Sequence, residues 1–95
     1  MRYKEVAKMK VFDVFSITNR GIVLSGEIIE GEISSGNYFK LNIEGRELIY
    51  QINSVESFRT ETKANIGLLI RFENNPDLSY LENATGQIIE ILVTI

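Results

Sequence analysis

Cysteine and histidine are both absent from the 95 residues of the chain. Without cysteine there is no disulfide framework, no thiolate chemistry and no cysteine-based metal site. Without histidine the usual general base at neutral pH is missing, and so is the commonest transition-metal ligand. Serine–histidine–aspartate and cysteine–histidine catalysis cannot be assembled from these residues. Proline occurs once, at Pro76. No run approaches the roughly 20 apolar residues of a membrane-spanning helix. The opening stretch MRYKEVAKMK is too polar for a signal-peptide core. The expectation is a cytoplasmic protein that is not an enzyme, with no catalytic residue, metal or cofactor.

What is present points to one small all-β domain. Apolar residues make up 44% of the chain, which suits a packed core and argues against disorder. Ten basic residues against 13 acidic ones give a net charge of −3, which disfavours nucleic-acid binding driven by the whole surface. The charge is unevenly spread. Arg2, Lys4, Lys8 and Lys10 crowd the first ten residues against Glu5 alone. They read as solvated charges that protect an edge strand, with residues 1–9 as a basic segment followed by a single barrel over 10–93.

Strand periodicity runs almost throughout. MKVFDVFSIT (9–18) is rich in β-branched and aromatic residues and ends on the turn signal Asn19-Arg20-Gly21. IVLSGEIIE (22–30) follows, with Ile22, Leu24 and Ile28 on one face. In YFKLNI (38–43) Phe39, Leu41 and Ile43 point inward, and Glu44-Gly45 makes a tight hairpin. A return strand is expected from Arg46 to about Phe58, with a bulge near Asn53-Ser54 that restores the phase of Val55. Residues 59–65 read as a polar loop, IGLLIRF (66–72) as an apolar strand, and QIIEILVTI (87–95) as the last strand. Between these two strands, DLSYLE is expected to form one helical turn with Leu78 and Leu81 underneath. Six or seven short strands joined by hairpin-length links predict a small antiparallel barrel or sandwich.

Two features invite functional readings. Gly21, Gly26, Gly31 and Gly36 recur at every fifth position. A phosphate-binding loop needs lysine and a hydroxyl residue after such a pair, but Glu27-Ile28 and Asn37-Tyr38 stand there. The glycines therefore read as backbone geometry, Gly26 at a bulge or close strand crossing. Glu27, Glu30 and Glu32 form an acidic cluster, yet on a strand Glu27 and Glu30 face opposite sides, so they read as solvated exterior. Asp13 and Glu56 lie within apolar strands and gain interest only if buried. The four tyrosines and five phenylalanines read as packing residues rather than base-stacking platforms.

DVFSITNRGIVLSGEIIEGEISSG, residues 13–36, resembles the second domain of elongation factor Tu and related translational GTPases. Asp13 to Thr18, Arg20, Gly21, Val23, Gly26, Gly31, Ile33 and Gly36 match that family's pattern. SVESFR (54–59) resembles its GVEMFR-type segment, ANIGLLIR (64–71) resembles a strand of the same barrel, and Gly86-Gln87 matches the pair before its last strand. The resemblance covers about residues 10–93 and implies a six-stranded antiparallel Greek-key barrel. It also implies contacts with a GTPase domain, or with the aminoacyl end of tRNA, in the full-length factors. This chain carries no GxxxxGK-type nucleotide loop. The family's tRNA-binding members often have arginines where Glu27 and Glu30 stand, and anions there penalise approach to a phosphate backbone. Asn19 replaces a usual glycine, a change that asparagine tolerates at positive φ. The 73–86 connection is longer than the family's usual one.

The functional expectation is a stand-alone, non-catalytic module that binds a protein. The candidate surface comprises Arg20, Glu27, Glu30, Arg59 and Arg71, together with the 59–65 and 73–86 loops. An RNA- or ribosome-associated factor using the arginines is the alternative, and a small-ligand carrier is a second. Self-association through the strand-rich ends is conceivable. The open question is whether Arg20, Arg59 and Arg71 converge on one face.

Overall fold

Alternation of small or apolar residues with lysines, in VAKMKV, extends the first strand well before Met9. In the computed structural model, which describes residues 2–59, 64–74 and 76–95, β1 runs over Tyr3–Ile17. Only backbone is described for Phe58, Arg59, Ala64 and Asn74. Ala7, Met9 and Val11 enter the core, while Lys4, Lys8 and Lys10 are less buried. The expected solvated segment before Met9 is thus largely strand. It pairs with the last strand from Tyr3 onward and with the second strand from Ala7. Burying Ala7 and Met9 requires their backbone to be laddered, because unpaired amides inside a core are costly.

The remaining strands are β2 (Gly21–Gly31), β3 (Tyr38–Ile43), β4 (Arg46–Gln51), β5 (Ser54–Arg59), β6 (Ala64–Arg71) and β7 (Ile88–Thr94). They form one antiparallel sheet of seven strands in the order β4-β3-β7-β1-β2-β6-β5. Three register shifts fall along β1, near Val6, Ile29 and Phe12, and such bulges bend and twist a strand. Glu44 and Gly45 adopt φ values of 51° and 82° and close the β3–β4 hairpin.

The expected return strand over 46–58 is divided instead of bulged. β4 lies on one edge of the sheet and β5 on the other, with only Ile52 and Asn53 between them. Two residues span little distance, so the sheet rolls until its edges meet at this corner. Ile52 is fully buried there and exchanges backbone hydrogen bonds with Gly36 and Asn37, each 2.8 Å. The Asn53 amide donates to the Leu69 carbonyl at 2.8 Å, on the β6 side. Among the described residues no ladder joins β4 to β5, so the roll is not closed by hydrogen bonds.

The interior of the roll is apolar, centred on Met9, Leu24, Phe39, Leu41, Leu68, Ile70 and Ile91. Among the described residues no charged residue belongs to this core, and its polar group is the Tyr80 hydroxyl. Between β6 and β7 come a 3₁₀ turn (Phe72–Asn74), the helical turn α1 (Leu78–Leu81) and a second 3₁₀ turn (Glu82–Ala84). Asp77 caps α1 by accepting from the Tyr80 amide at 3.2 Å. Leu81 and Tyr80 plug the core as the DLSYLE reading expects for Leu81, and Leu78 packs against the cluster.

Tyr50 stacks on Phe39 with ring centroids 5.5 Å apart. Its phenol is pushed above the ordinary value of 10.0 by partial burial, and further by the Asp77 charge and by Tyr80. The folded state therefore holds this proton more tightly than the unfolded chain does. The associated stability is intact below pH about 10 and is lost as pH rises through the raised folded value. Comparing wild type with Tyr50→Phe by urea unfolding at about pH 8 and at a pH above about 10 checks this. The wild type should lose more stability across that interval than the variant; equal losses would remove Tyr50 from the alkaline transition.

Candidate functional site

Cross-strand register arranges the outer face of β1, β2, β6 and β5 in rows. Phe15, Val23, Leu69 and Ser54 form one row. Ile17, Gly21 and Arg71 lie on one side of it, and Asp13, Ser25, Gly67 and Glu56 on the other. Val23 and Leu69 alternate with the core residues Ile22, Leu24, Leu68 and Ile70, so they point away from the core. Both are nevertheless buried, at 0% and 2% exposure. The apolar run IGLLIRF carries the signal of a strand covered on both faces, which a strict inward–outward reading misses.

The turn between β1 and β2 carries Arg20 onto this face. Asn19 takes φ 63° within that turn, and the Arg20 amide donates to the Ile17 carbonyl at 3.0 Å. The Arg20 guanidinium reaches Glu56 on β5 at 2.5 Å, an ion pair spanning from the β1–β2 turn to the edge strand. Arg71 ends β6 opposite Gly21, and its Nη1 lies 3.8 Å from Glu73. Arg20 and Arg71 border a depression of about 310 Å³, lined also by Ser54, Leu69, Phe72 and Glu73. The Asn53 side chain fixes its backbone by accepting from the Arg71 amide at 2.9 Å. The Ser54 hydroxyl is covered and has no hydrogen-bond partner among the described residues. Phe72, which lines the depression, is 46% exposed, and Phe15, in the row of Val23 and Leu69, is 37% exposed.

Two of the three expected arginines therefore converge. Arg59 ends β5, but its side chain lies outside the described residues, as do residues 60–63 of the expected loop. Glu27 and Glu30 sit elsewhere, on the far half of β2. Lys10 is the cross-strand neighbour of Glu27, and Lys8 that of Glu30, with Lys8 Nζ 3.6 Å from the Glu30 carboxylate. The row continues through Glu90 to Lys40, whose ammonium is 3.3 Å from Glu90. Lys8 of the basic start and Glu30 of β2 are thus partners in one alternating row with Glu90 and Lys40. Exposed pairs of this kind contribute about 0–1 kcal/mol each, so the row neutralises a surface more than it stabilises the fold. Asp13 is exposed and Glu56 is half-buried against Arg20.

The chain matches no protein-family model and no solved structure.

Its chemistry is accordingly read from the face itself. Among the described residues no group of three or more carboxylates is placed to hold a metal ion, and no helix is long and apolar enough to cross a membrane. At the depression each guanidinium has a carboxylate beside it, so Arg20 with Glu56 and Arg71 with Glu73 sum to zero charge. Sequence reasoning singled out the arginines and Glu56. It missed Ser54, Leu69 and Phe72, whose proximity comes from the corner at Ile52–Asn53 and from strand register.

Proposed function

We propose that the chain is a non-catalytic binding module that engages another protein through the Arg20–Arg71 face. The observation that carries this reading is the pairing of exposed Phe15 and Phe72 with a rim whose charges are already compensated. A phosphate group at this rim replaces one exposed ion pair by another, with a net gain near zero. Covering apolar rings, by contrast, contributes about 25 cal/mol per Å² of area removed from water. The balance favours a protein surface over a nucleic-acid backbone, in keeping with the chain's net charge of −3.

The same proposal takes the rolled sheet as a Greek-key barrel of the translation-factor second-domain type. The DVFSITNRG match supports it, and so does the left-handed Asn19 at a position where the family has glycine. Counting β4 and β5 as one strand broken at the corner brings the strand number to the six of that barrel.

Photo-crosslinking in native lysate tests the functional reading. A benzophenone side chain at position 72 should yield a discrete protein adduct, whereas the same group at Ile49, in the other half of the sheet, should not. Equal adducts, or none, sink the proposal. An anisotropy titration with tRNA checks the competing reading. Binding at about 50 mM salt that weakens steeply as salt rises would replace the protein partner with RNA.

A further inference from the structure

β5 is one edge of the sheet, and the ladder with β6 fixes which of its backbone groups point outward. The Asn53 amide donates to the Leu69 carbonyl, so the peptide groups of Leu69 face β5. Alternation along an antiparallel pair then turns the amide and carbonyl of Ser54 and Glu56 toward β6, and those of Val55 and Ser57 away from it. No described residue hydrogen-bonds to these outward groups. Val55 packs against the core cluster yet is only partly buried, as no described strand covers its flank. Charges and proline commonly protect such an edge. β4, the opposite edge, carries Arg46 and Glu47, and the Tyr80 hydroxyl engages the Arg46 carbonyl. From Ser54 to Ser57 the one charge is Glu56, and Arg20 compensates it. β5 is also continuous with the proposed binding face, since Ser54 lines the depression beside Phe72.

Resting on the protein-binding reading above, we infer that the partner protein binds by adding an extended segment to β5 as a further antiparallel strand. Its backbone pairs with the amides and carbonyls of Val55 and Ser57, forming about four hydrogen bonds. The residue opposite Val55 shares its inward side and is apolar and β-branched. The residue opposite Glu56 points outward and is uncharged, because Glu56 already has its cation. A second copy of β5 is a poorer occupant. The two-fold register that sets Val55 against Ser57 places two Glu56 carboxylates directly opposite each other.

Acetyl-Thr-Val-Thr-Val-Thr-amide, titrated into the ¹⁵N-labelled full chain, tests this. The peptide should shift the amide signals of Val55 and Ser57 and slow their exchange with water, with a Kd in the millimolar range. In the antiparallel pairing the valine N–H groups point at β5 and the central threonine N–H points at solvent. Methylating both valine nitrogens should therefore weaken binding at least about fivefold, whereas methylating the central threonine nitrogen should change it less than about twofold. Ser57→Pro removes an outward N–H and leaves the ladder with β6 intact, and it should weaken the unmodified peptide at least about fivefold. If that variant does not fold, the two methylated peptides decide alone. No shift at Val55 and Ser57, or equal binding of the two methylated peptides, overturns the inference. A wild-type dimer in sedimentation that Ser57→Pro abolishes also overturns it, by assigning the edge to a second copy. If a position-72 crosslink forms while the methylated peptides bind alike, only this inference falls. If no crosslink forms, the protein-binding reading falls with it.

Discussion

Gly26→Ala is expected to destabilise the protein by about 3 kcal/mol or more, at the upper end of what overpacking costs. Gly26 lies opposite Val11 on β1 and Ile66 on β6, so it is held from both sides in the middle of the sheet. A Cβ at this position would lie 1.9 Å from the Lys10 carbonyl oxygen and 3.0 Å from the Met9 terminal methyl. The methyl group can move, but the carbonyl is backbone. Relief requires β1 and β2 to separate beside the Phe12 bulge, where both strands also carry core residues. With a total stability of the order of 5–15 kcal/mol, such a loss consumes much of the margin. Gly45→Ala is the control, since nothing lies within 4 Å of its added Cβ and only its φ of 82° is unfavourable. It should cost roughly 1–2 kcal/mol. Urea unfolding should place the Gly26→Ala midpoint about 2 M below wild type, for an m-value near 1.5 kcal/mol/M. Coincident midpoints for the two variants would mean that the crossing at Gly26 is not tight.

The elements that the sequence makes legible are those whose partners are close in the chain. YFKLNI alternates over the residues that form β3, and Glu44-Gly45 sets the hairpin, because turn chemistry and register are both local. DLSYLE announces α1 through its Asp77 cap and its Leu78–Leu81 spacing. The break at Ile52–Asn53 is less legible, since alternation records which way side chains face but not which strand lies alongside. Leu48, Tyr50 and Ile52 keep one phase while the chain passes from pairing with β3 at one edge of the sheet to pairing with β6 at the other. The lysines of β1 mislead for a related reason. Their composition suggests a solvated terminus, and only the strands bearing Glu30 and Glu90 explain why they alternate.

The candidate site divides in the same way. Arg20 is visible as a turn residue, and Arg71 as a charge closing an apolar run. Their convergence depends on β6 pairing with β2, which places Arg71 opposite Gly21, far away in the chain. Glu27 and Glu30 carry the clearest departure from the family pattern, yet they lie away from the depression, and Glu30 is met by Lys8 across the strands. The negative charge of Glu30 is therefore less exposed to an approaching anion than the sequence alone suggests. What disfavours phosphate at the Arg20–Arg71 face is the local pairing with Glu56 and Glu73.

Tyr80 is the second position where a large effect is expected, and two substitutions separate its two contributions. The side chain is buried at 6% exposure, with its hydroxyl oxygen 2.8 Å from the Leu41 carbonyl and 2.7 Å from the Arg46 carbonyl. One hydroxyl proton is shared between these acceptors, which flank the Glu44-Gly45 turn. The β3–β7 ladder ends at Lys40, and the tyrosine takes up the carbonyl one residue beyond it. The Arg46 guanidinium covers the ring at 4.8 Å from its centroid, so α1 is tied to both strands of the hairpin. Tyr80→Phe keeps the ring and leaves two carbonyls short of a donor, which should cost about 1–3 kcal/mol. Tyr80→Ala also empties the space beside Leu81 and should cost about 3–5 kcal/mol. The two variants should differ in where they act. Tyr80→Phe should speed hydrogen exchange chiefly at β3 and β4, whereas Tyr80→Ala should also release the amides of α1, because the helical turn loses its anchor in the core. A Tyr80→Phe protein within about 0.5 kcal/mol of wild type, with unchanged exchange at the hairpin, would show that the hydroxyl adds nothing and that packing of the ring alone holds this end of the roll.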